Sequence, residues 1–274
     1  MEVQYNEDVI KSIFIKNVNL IFPWGVEFAD ERSFFSLENT LCNKVDILEK
    51  DYKFGNGQMY FRYILKMYSG KIGLSGNDVI NESENEIERE IELEALDDIN
   101  LLDFVMRYRF RKECIKKAMI AGKEIIHQDS NKYYQFPVMS VELTGKLYKI
   151  NCSIQSFRTQ DKFKMYMYVR DNKQEWVVHV RMLPSISSSV CVKLCSKWFS
   201  TYSFPYPISK LICSNQKIFE YLKYHNEIRP YKNLIARTFN VNAYPLVRLR
   251  TGEKISIGSK VKIYDKNISG NTNI

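Results

Sequence analysis

Several things are scarce in this chain, and each scarcity removes a class of function. No apolar run approaches the roughly 20 residues a membrane-spanning helix needs. SIFI and LIFPW near the start are broken within a few residues by Lys, Asn or Glu. The first residues, MEVQYNEDVIK, carry Glu2, Glu7 and Asp8 where a secretory signal would want positive charge and then an apolar block, so a cytoplasmic location is expected. The six cysteines (42, 114, 152, 191, 195 and 213) show no repeated close pairing, and reduced thiols are expected. Three histidines, His127, His179 and His225, are scattered singly, and Cys191-Val-Lys-Leu-Cys195 is the one close cysteine pair. A zinc site would need distant ligands to converge, and no metal is expected.

Catalytic signatures are missing too. Neither G-x-x-x-x-G-K-[ST] nor G-x-G-x-x-G occurs; Gly55-Asn56-Gly57 has Tyr60 where the third glycine would stand. Gly73-Leu74-Ser75-Gly76 misses the serine-hydrolase elbow by one residue. Cys152 or Cys191 with His179 or His225 would make a nucleophile and base only if the fold brought them together. A metal-dependent nuclease would want a carboxylate near a lysine on one strand, and Glu142 and Lys146 are separated by a Thr-Gly turn signal. No cofactor and no catalytic residue is assigned.

What the chain does have is a charge split. Residues 1–103 hold 10 Lys+Arg against 21 Asp+Glu, and residues 104–274 hold 30 against 11. Ten of those acids lie in residues 77–98, NDVINESENEIEREIELEALDD, which reads as a solvated acidic connector after glycines 70, 73 and 76. Alanine occurs 6 times, whereas Ile, Asn, Lys and Tyr supply 94 residues, a bias toward AT-rich codons that suits a low-GC bacterium, a phage or another mobile element.

The stretch INLLDFVMRYRFRKECIKKAMIAGKEII places Leu101, Val105 and Tyr108 at helical spacing, with Asp97 and Asp98 to cap it and Gly122 to close it. NQKIFEYLKYH, capped by Ser214, predicts a second, short helix. Elsewhere the periodicity is two, and VIKSIFI, MYFRYILKMY, YYQFPVMSVELTG, KLYKINCSIQSF, PLVRLR, EKISI and KVKIY read as strands. Phe22-Pro23-Trp24-Gly25, Gly55-Asn56-Gly57, Thr251-Gly252 and Gly258-Ser259 read as turns. The expectation is an α+β protein, predominantly antiparallel β, with one long amphipathic helix and a short helix in the C-terminal half. Its parts are a β-rich 1–76, an acidic connector and long helix over 77–127, and a basic β-rich 128–274.

The most regular alternation is KFKMYMYVRDNKQEWVVHVRML, residues 162–183. Folded as a hairpin about Asp171-Asn172-Lys173, it turns Phe163, Met165, Met167 and Val169 to one side with Trp176, Val178, Val180 and Met182. The other side shows Lys162, Lys164, Tyr166, Tyr168 and Arg170 beside Val177, His179 and Arg181. That face, with Arg107 and Arg111 of the expected long helix, is the predicted binding surface. Tyrosine and arginine suit a protein interface, and opposite charge on the two halves suits self-association. The sequence therefore predicts a non-enzymatic, self-assembling interaction protein that binds and blocks a partner protein. Cations interleaved with aromatic rings suit a nucleic acid as the alternative, and a metal-dependent nuclease stands third.

Overall fold

In the computed structural model of the protein, the described residues are 1–38, 41–129, 133–185, 188–195, 205–222 and 242–266. The chain begins with β1 (Glu2–Asn6), β2 (Val9–Ile15), β3 (Val18–Asn19), β4 (Ile21–Ala29), β5 (Phe34–Ser36) and β6 (Leu41–Asn43). Four long strands follow: β7 (Asp46–Gly55), β8 (Gln58–Lys66), β9 (Lys71–Asn81) and β10 (Glu86–Ala95). Next come β11 (Ile99–Leu101), β12 (Asp103–Arg111), β13 (Lys117–Ile120), β14 (Lys123–Ile126), β15 (Tyr133–Phe136) and β16 (Ser140–Thr144). Then β17 (Tyr148–Arg158), β18 (Phe163–Asp171), β19 (Glu175–Pro184) and β20 (Ser189–Cys195) lead to two short helices, α1 (Tyr206–Ser214) and α2 (Gln216–Leu222). The last strands are β21 (Asn242–Leu249) and β22 (Lys254–Asp265).

The fold is nearly all antiparallel β, which corrects the α+β expectation. A nine-stranded sheet runs β14-β13-β16-β17-β22-β10-β9-β8-β7, and a seven-stranded sheet runs β15-β18-β19-β12-β4-β5-β6. Two three-stranded sheets, β1-β2-β3 and β11-β21-β20, complete it. The large sheets face each other across one apolar core that draws on residues from Ile10 to Ile263. Rings meet across the layers: Phe35 and Tyr63 lie 5.9 Å apart between centroids, and the Tyr108 hydroxyl bonds Ser259 Oγ. The core holds a built-in charge pair, Arg89 with Asp78, whose bidentate bonds are 2.7 and 2.9 Å. Both residues are buried.

The long helix expected from about residue 99 to 126 does not form. Its sequence makes β11, β12, β13 and β14. DFVMRYRFR alternates cleanly, with Phe104, Met106, Tyr108 and Phe110 in the core and Arg107, Arg109 and Arg111 on the other side. Aromatic side chains on alternate residues favour the pleated surface over a helix, and the spacing of Leu101, Val105 and Tyr108 is incidental. Asp97 and Asp98 brace turns instead of capping a helix, accepting from Lys71 N and Thr251 N. Ala121 and Gly122, at φ 51° and 73°, close the β13–β14 hairpin.

The acidic run is no connector. It is the second half of β9, a turn, all of β10 and the turn after it, with Ile87, Arg89, Ile91 and Leu93 turned inward and glutamates turned out. Its charge is answered by the neighbouring basic strand, β22. Lys260 bridges Glu86 and Glu88 at 2.8 and 2.7 Å, and Lys254 bridges Glu92 and Glu94 at 2.9 and 3.2 Å. The opposite charges of the two chain halves thus meet on adjacent strands of one sheet, so the charge split gives no reason for one copy to seek another.

Of the predicted turns, Asn56-Gly57 closes the β7–β8 hairpin at φ 53° and 71°, and Gly252 turns β21 into β22 at φ 84°. Gly258-Ser259 instead lies inside β22, and Phe22-Pro23-Trp24-Gly25 lies inside β4. The register of β4 against β12 shifts between Arg107 and Arg109, and this bulge is where a strand accommodates Pro23. Helix α2 matches the predicted short helix over its described residues, with Asn215 Oδ1 accepting from Ile218 N, while Ser214 bonds back to Leu211 O. His225 and the side chains of Cys191, Cys195 and Cys213 fall outside the described residues. Among the described residues no helix is long and apolar enough to cross a membrane.

Candidate functional site

The predicted hairpin exists, and its two faces are assigned as the alternation requires. Tyr168 pairs with His179, Tyr166 with Arg181 and Arg170 with Val177. The face opposite the core is nevertheless not a solvent surface: Tyr166 is 2% exposed, Tyr168 3%, His179 8% and Arg181 5%. Because β18 and β19 continue through β12 into β4, residues from four strands stand side by side on it. Reading across the sheet at one level are Tyr168, His179, Arg107 and Gly25; at the next are Tyr166, Arg181, Val105 and Glu27, with Ser36 beyond.

At the centre, Arg107 Nη1 donates to Glu27 Oε1 at 2.6 Å and to Glu38 Oε1 at 2.7 Å. The two carboxylate oxygens therefore lie within about 5 Å of each other on one guanidinium nitrogen. Ser36 Oγ donates to Glu38 Oε2 at 3.0 Å. Glycine at position 25 makes this possible, because a Cβ there would overlap the Glu38 carboxylate. Burial, reinforced by the charge of Glu27 and opposed by Arg107, pushes the Glu38 carboxyl up to about 7. The Glu38 side chain is wholly buried, whereas Glu27 and Arg107 retain 10% and 14% of their side-chain exposure.

A second pair lies beside it. Arg181 Nη2 donates to Asp103 Oδ2 at 2.5 Å. Burial raises the Asp103 carboxyl to about 6 even though Arg181 pulls the other way. The Tyr168 ring packs 4.2 Å from His179, centroid to centroid, and 5.9 Å from the Arg181 guanidinium carbon. Along β12 the next outward residue, Arg109, donates to Glu175 at 2.6 Å. Arg109 and Arg111 both stand over the Phe22 ring, at 5.3 and 4.3 Å.

The structure thus gathers Arg107, Tyr166, Tyr168, His179 and Arg181 on one face, with Arg111 at one end and Arg170 on β18. It leaves out Lys162, which precedes β18 and turns to Glu253 and the Arg248 carbonyl, while Lys164 shares the side of β18 that carries Tyr166 but is exposed. The residues that sequence reasoning missed are Gly25, Glu27, Glu38, Asp103, Arg109 and Glu175. Two signals were present: a glycine between large apolar residues in FPWGVEF, which marks a close approach inside a strand, and the alternate arginines of RYRFR, which present three guanidiniums to one side of a strand.

Such a face is not a surface for blocking a partner protein or for stacking bases. Its tyrosines are buried. Three of its guanidiniums, on Arg107, Arg109 and Arg181, are held by Glu27, Glu38, Glu175 and Asp103, so most of its positive charge is already answered instead of being laid out for a phosphate backbone. The expectations of a non-enzymatic, self-assembling blocker and of a nucleic-acid binder are corrected accordingly, and the mobile-element reading, which rested on composition alone, goes with them. Among the described residues no group of three or more His, Cys, Asp and Glu side chains is placed to hold a metal ion.

No family model matches the chain, and no curated protein matches it in sequence. Solved structures resemble it in outline. A putative aldose 1-epimerase from Escherichia coli K12 is 7% identical with a TM-score of 0.46, over 94% of this chain and 92% of that one. A galactose mutarotase-like protein from Clostridium acetobutylicum is 9% identical with a TM-score of 0.40, over 89% and 80%. A GH36 alpha-galactosidase from Geobacillus stearothermophilus is 9% identical with a TM-score of 0.42, over 88% of this chain and 30% of that one. At these scores the likeness is one of outline alone.

Proposed function

We propose that the partly exposed Glu27–Arg107 centre of the outer face of the seven-stranded sheet binds a small polyhydroxylated molecule of the carbohydrate class and moves a proton on it. The observation that supports this most is the carboxyl pair Glu27–Glu38, held on one arginine nitrogen, with Glu38 pushed up to about 7. A carboxyl tuned to neutral pH accepts and returns a proton with little driving force wasted, which is the property of a general acid–base group. Two carboxyls this close titrate as a pair, so the proton belongs to both. Glu27, the more exposed partner, presents the pair to a ligand while Glu38 stays behind it.

The ligand class follows from the rest of the face. Guanidiniums and carboxylates alternate and nearly cancel there, so the face offers hydrogen-bond donors and acceptors in fixed positions without a strong net field. That suits hydroxyl groups, each of which donates and accepts. Because the side chains rise from paired strands, their spacing is set by the sheet, and binding costs little reorganisation.

The test is a panel of neutral hexoses and pentoses titrated into the protein and followed by saturation-transfer NMR, with anomer interconversion of each binder read by exchange spectroscopy. Binding by at least one sugar is expected. Glu38→Gln should keep binding within a few-fold and lose the acceleration of interconversion. If no sugar binds, or if Glu38→Gln interconverts anomers as fast as the wild type, the proposal fails.

A further inference from the structure

Strand β12 carries three arginines on the site face, and only two of them are committed to carboxylates. Arg107 is shared by Glu27 and Glu38, and Arg109 is paired with Glu175. Arg111 has no carboxylate partner among the described residues; its Nε donates to the Ile21 carbonyl at 3.0 Å. Its guanidinium does not stray into solvent. It leans back toward the site and lies 4.3 Å from the Phe22 ring, over which Arg109 also sits at 5.3 Å. Phe22 is the cross-strand partner of Arg109, so the ring gathers both cations at the end of the face. Among the described residues one carboxylate, Glu175, therefore answers two guanidiniums there, in contrast to the balanced centre.

We infer that this end is an oxyanion subsite, and that the polyhydroxylated ligand carries one acidic substituent, a carboxylate or a phosphate, seated between Arg109 and Arg111. The inference rests on the function proposed above. Guanidiniums present N–H pairs in a planar fork that matches both groups, and stacking on Phe22 fixes their orientation without neutralising them. The Cα of Arg109 lies about 7 Å along the strand from that of Arg107, roughly the width of one pyranose. A single sugar whose hydroxyls meet the Glu27–Arg107 centre therefore brings an acidic substituent to the Phe22 end. Arg111 touches neither carboxyl of the acid–base pair, so its role is recognition.

Arginine Nε–Hε NMR, on the intact protein, reads the subsite directly. Titration with inorganic phosphate should move the Arg109 and Arg111 signals together and saturate, and Arg111→Gln should weaken this at least fivefold. In parallel, D-glucuronate and D-glucose 6-phosphate are compared with D-glucose. At least one acidic sugar should bind about tenfold tighter than glucose, and Arg111→Gln should erase that advantage by lowering the acid's affinity far more than that of glucose. Which of the two acids keeps the advantage identifies the group as carboxylate or phosphate. Phosphate leaving both arginine signals unmoved would overturn the inference, as would equal affinity for glucose and both acids, or an equal loss for all three in Arg111→Gln. Those outcomes leave the proposed function standing, whereas failure of every sugar, neutral or acidic, to bind overturns both.

Discussion

Replacing Glu38 by glutamine tests the site through stability, without needing a ligand. Burial and the neighbouring Glu27 carry the Glu38 carboxyl from an ordinary 4.5 to about 7. At 1.36 kcal/mol for each tenfold change in proton affinity, the folded protein holds that proton more tightly than the unfolded chain by about 3 kcal/mol. The sign follows from linkage: a raised pKa gives stability that is fully present below about pH 4.5 and lost as pH rises through about 7. Asp103, raised to about 6, acts in the same direction at lower pH. Measurement between pH 6 and 8.5 therefore separates Glu38, for which about 1–2 kcal/mol of the effect remains in that window. Glutamine keeps the shape and stays neutral throughout, accepting from Arg107 with its carbonyl and facing Ser36 with its amide. Urea unfolding at the two pH values should show the variant gaining about 1–2 kcal/mol on the wild type as pH rises. Stability curves that run parallel across the window would refute the account of the Glu27–Arg107–Glu38 cluster.

Gly25→Ala should evict the Glu38 carboxylate from its seat, costing on the order of 1–3 kcal/mol in thermal or urea unfolding and lowering affinity for any sugar the wild type binds; a variant as stable and as active as the wild type would contradict the geometry. Tyr166→Ala and Tyr168→Ala remove buried rings, so each should destabilise by about 3 kcal/mol or more, and a change near zero by calorimetry would show the face to be open. Arg89→Met alone strands the Asp78 carboxylate in the core and should cost about 3–5 kcal/mol, while Arg89→Met combined with Asp78→Leu should recover most of it; a double-mutant cycle by urea unfolding decides. Arg181→Met should likewise cost about 3 kcal/mol by leaving Asp103 alone, with the loss shrinking as pH falls toward about 6, because without Arg181 to hold it down the Asp103 carboxyl takes up its proton at higher pH than in the wild type.

The sequence by itself determined local geometry. Period-two alternation located the 162–183 hairpin, its turn and the inward and outward members of both strands, because side chains on an extended chain must point to opposite sides whatever lies beyond them. Asn56-Gly57 and Thr251-Gly252 were legible as turns, because positive φ is a local demand. Two readings failed where a local pattern admits more than one partner. DFVMRYRFR carried spacings compatible with a helix as well as alternation, and only pairing with β4 and β19 decides for the strand. The glutamates of residues 86–94 were a run of charge until β22 supplied the lysines opposite them.

Tertiary structure alone decided what the outward face of the hairpin meets. Alternation separates two faces but does not say which of them is wet, and in a seven-stranded sheet the second face can be as closed as the first. Glu27, Glu38, Arg107 and His179 are far apart along the chain and adjacent only because β4, β12 and β19 are neighbours. The raised carboxyl of Glu38 likewise has no local cause: it arises from burial and from a charge eleven residues away, brought within reach across a glycine.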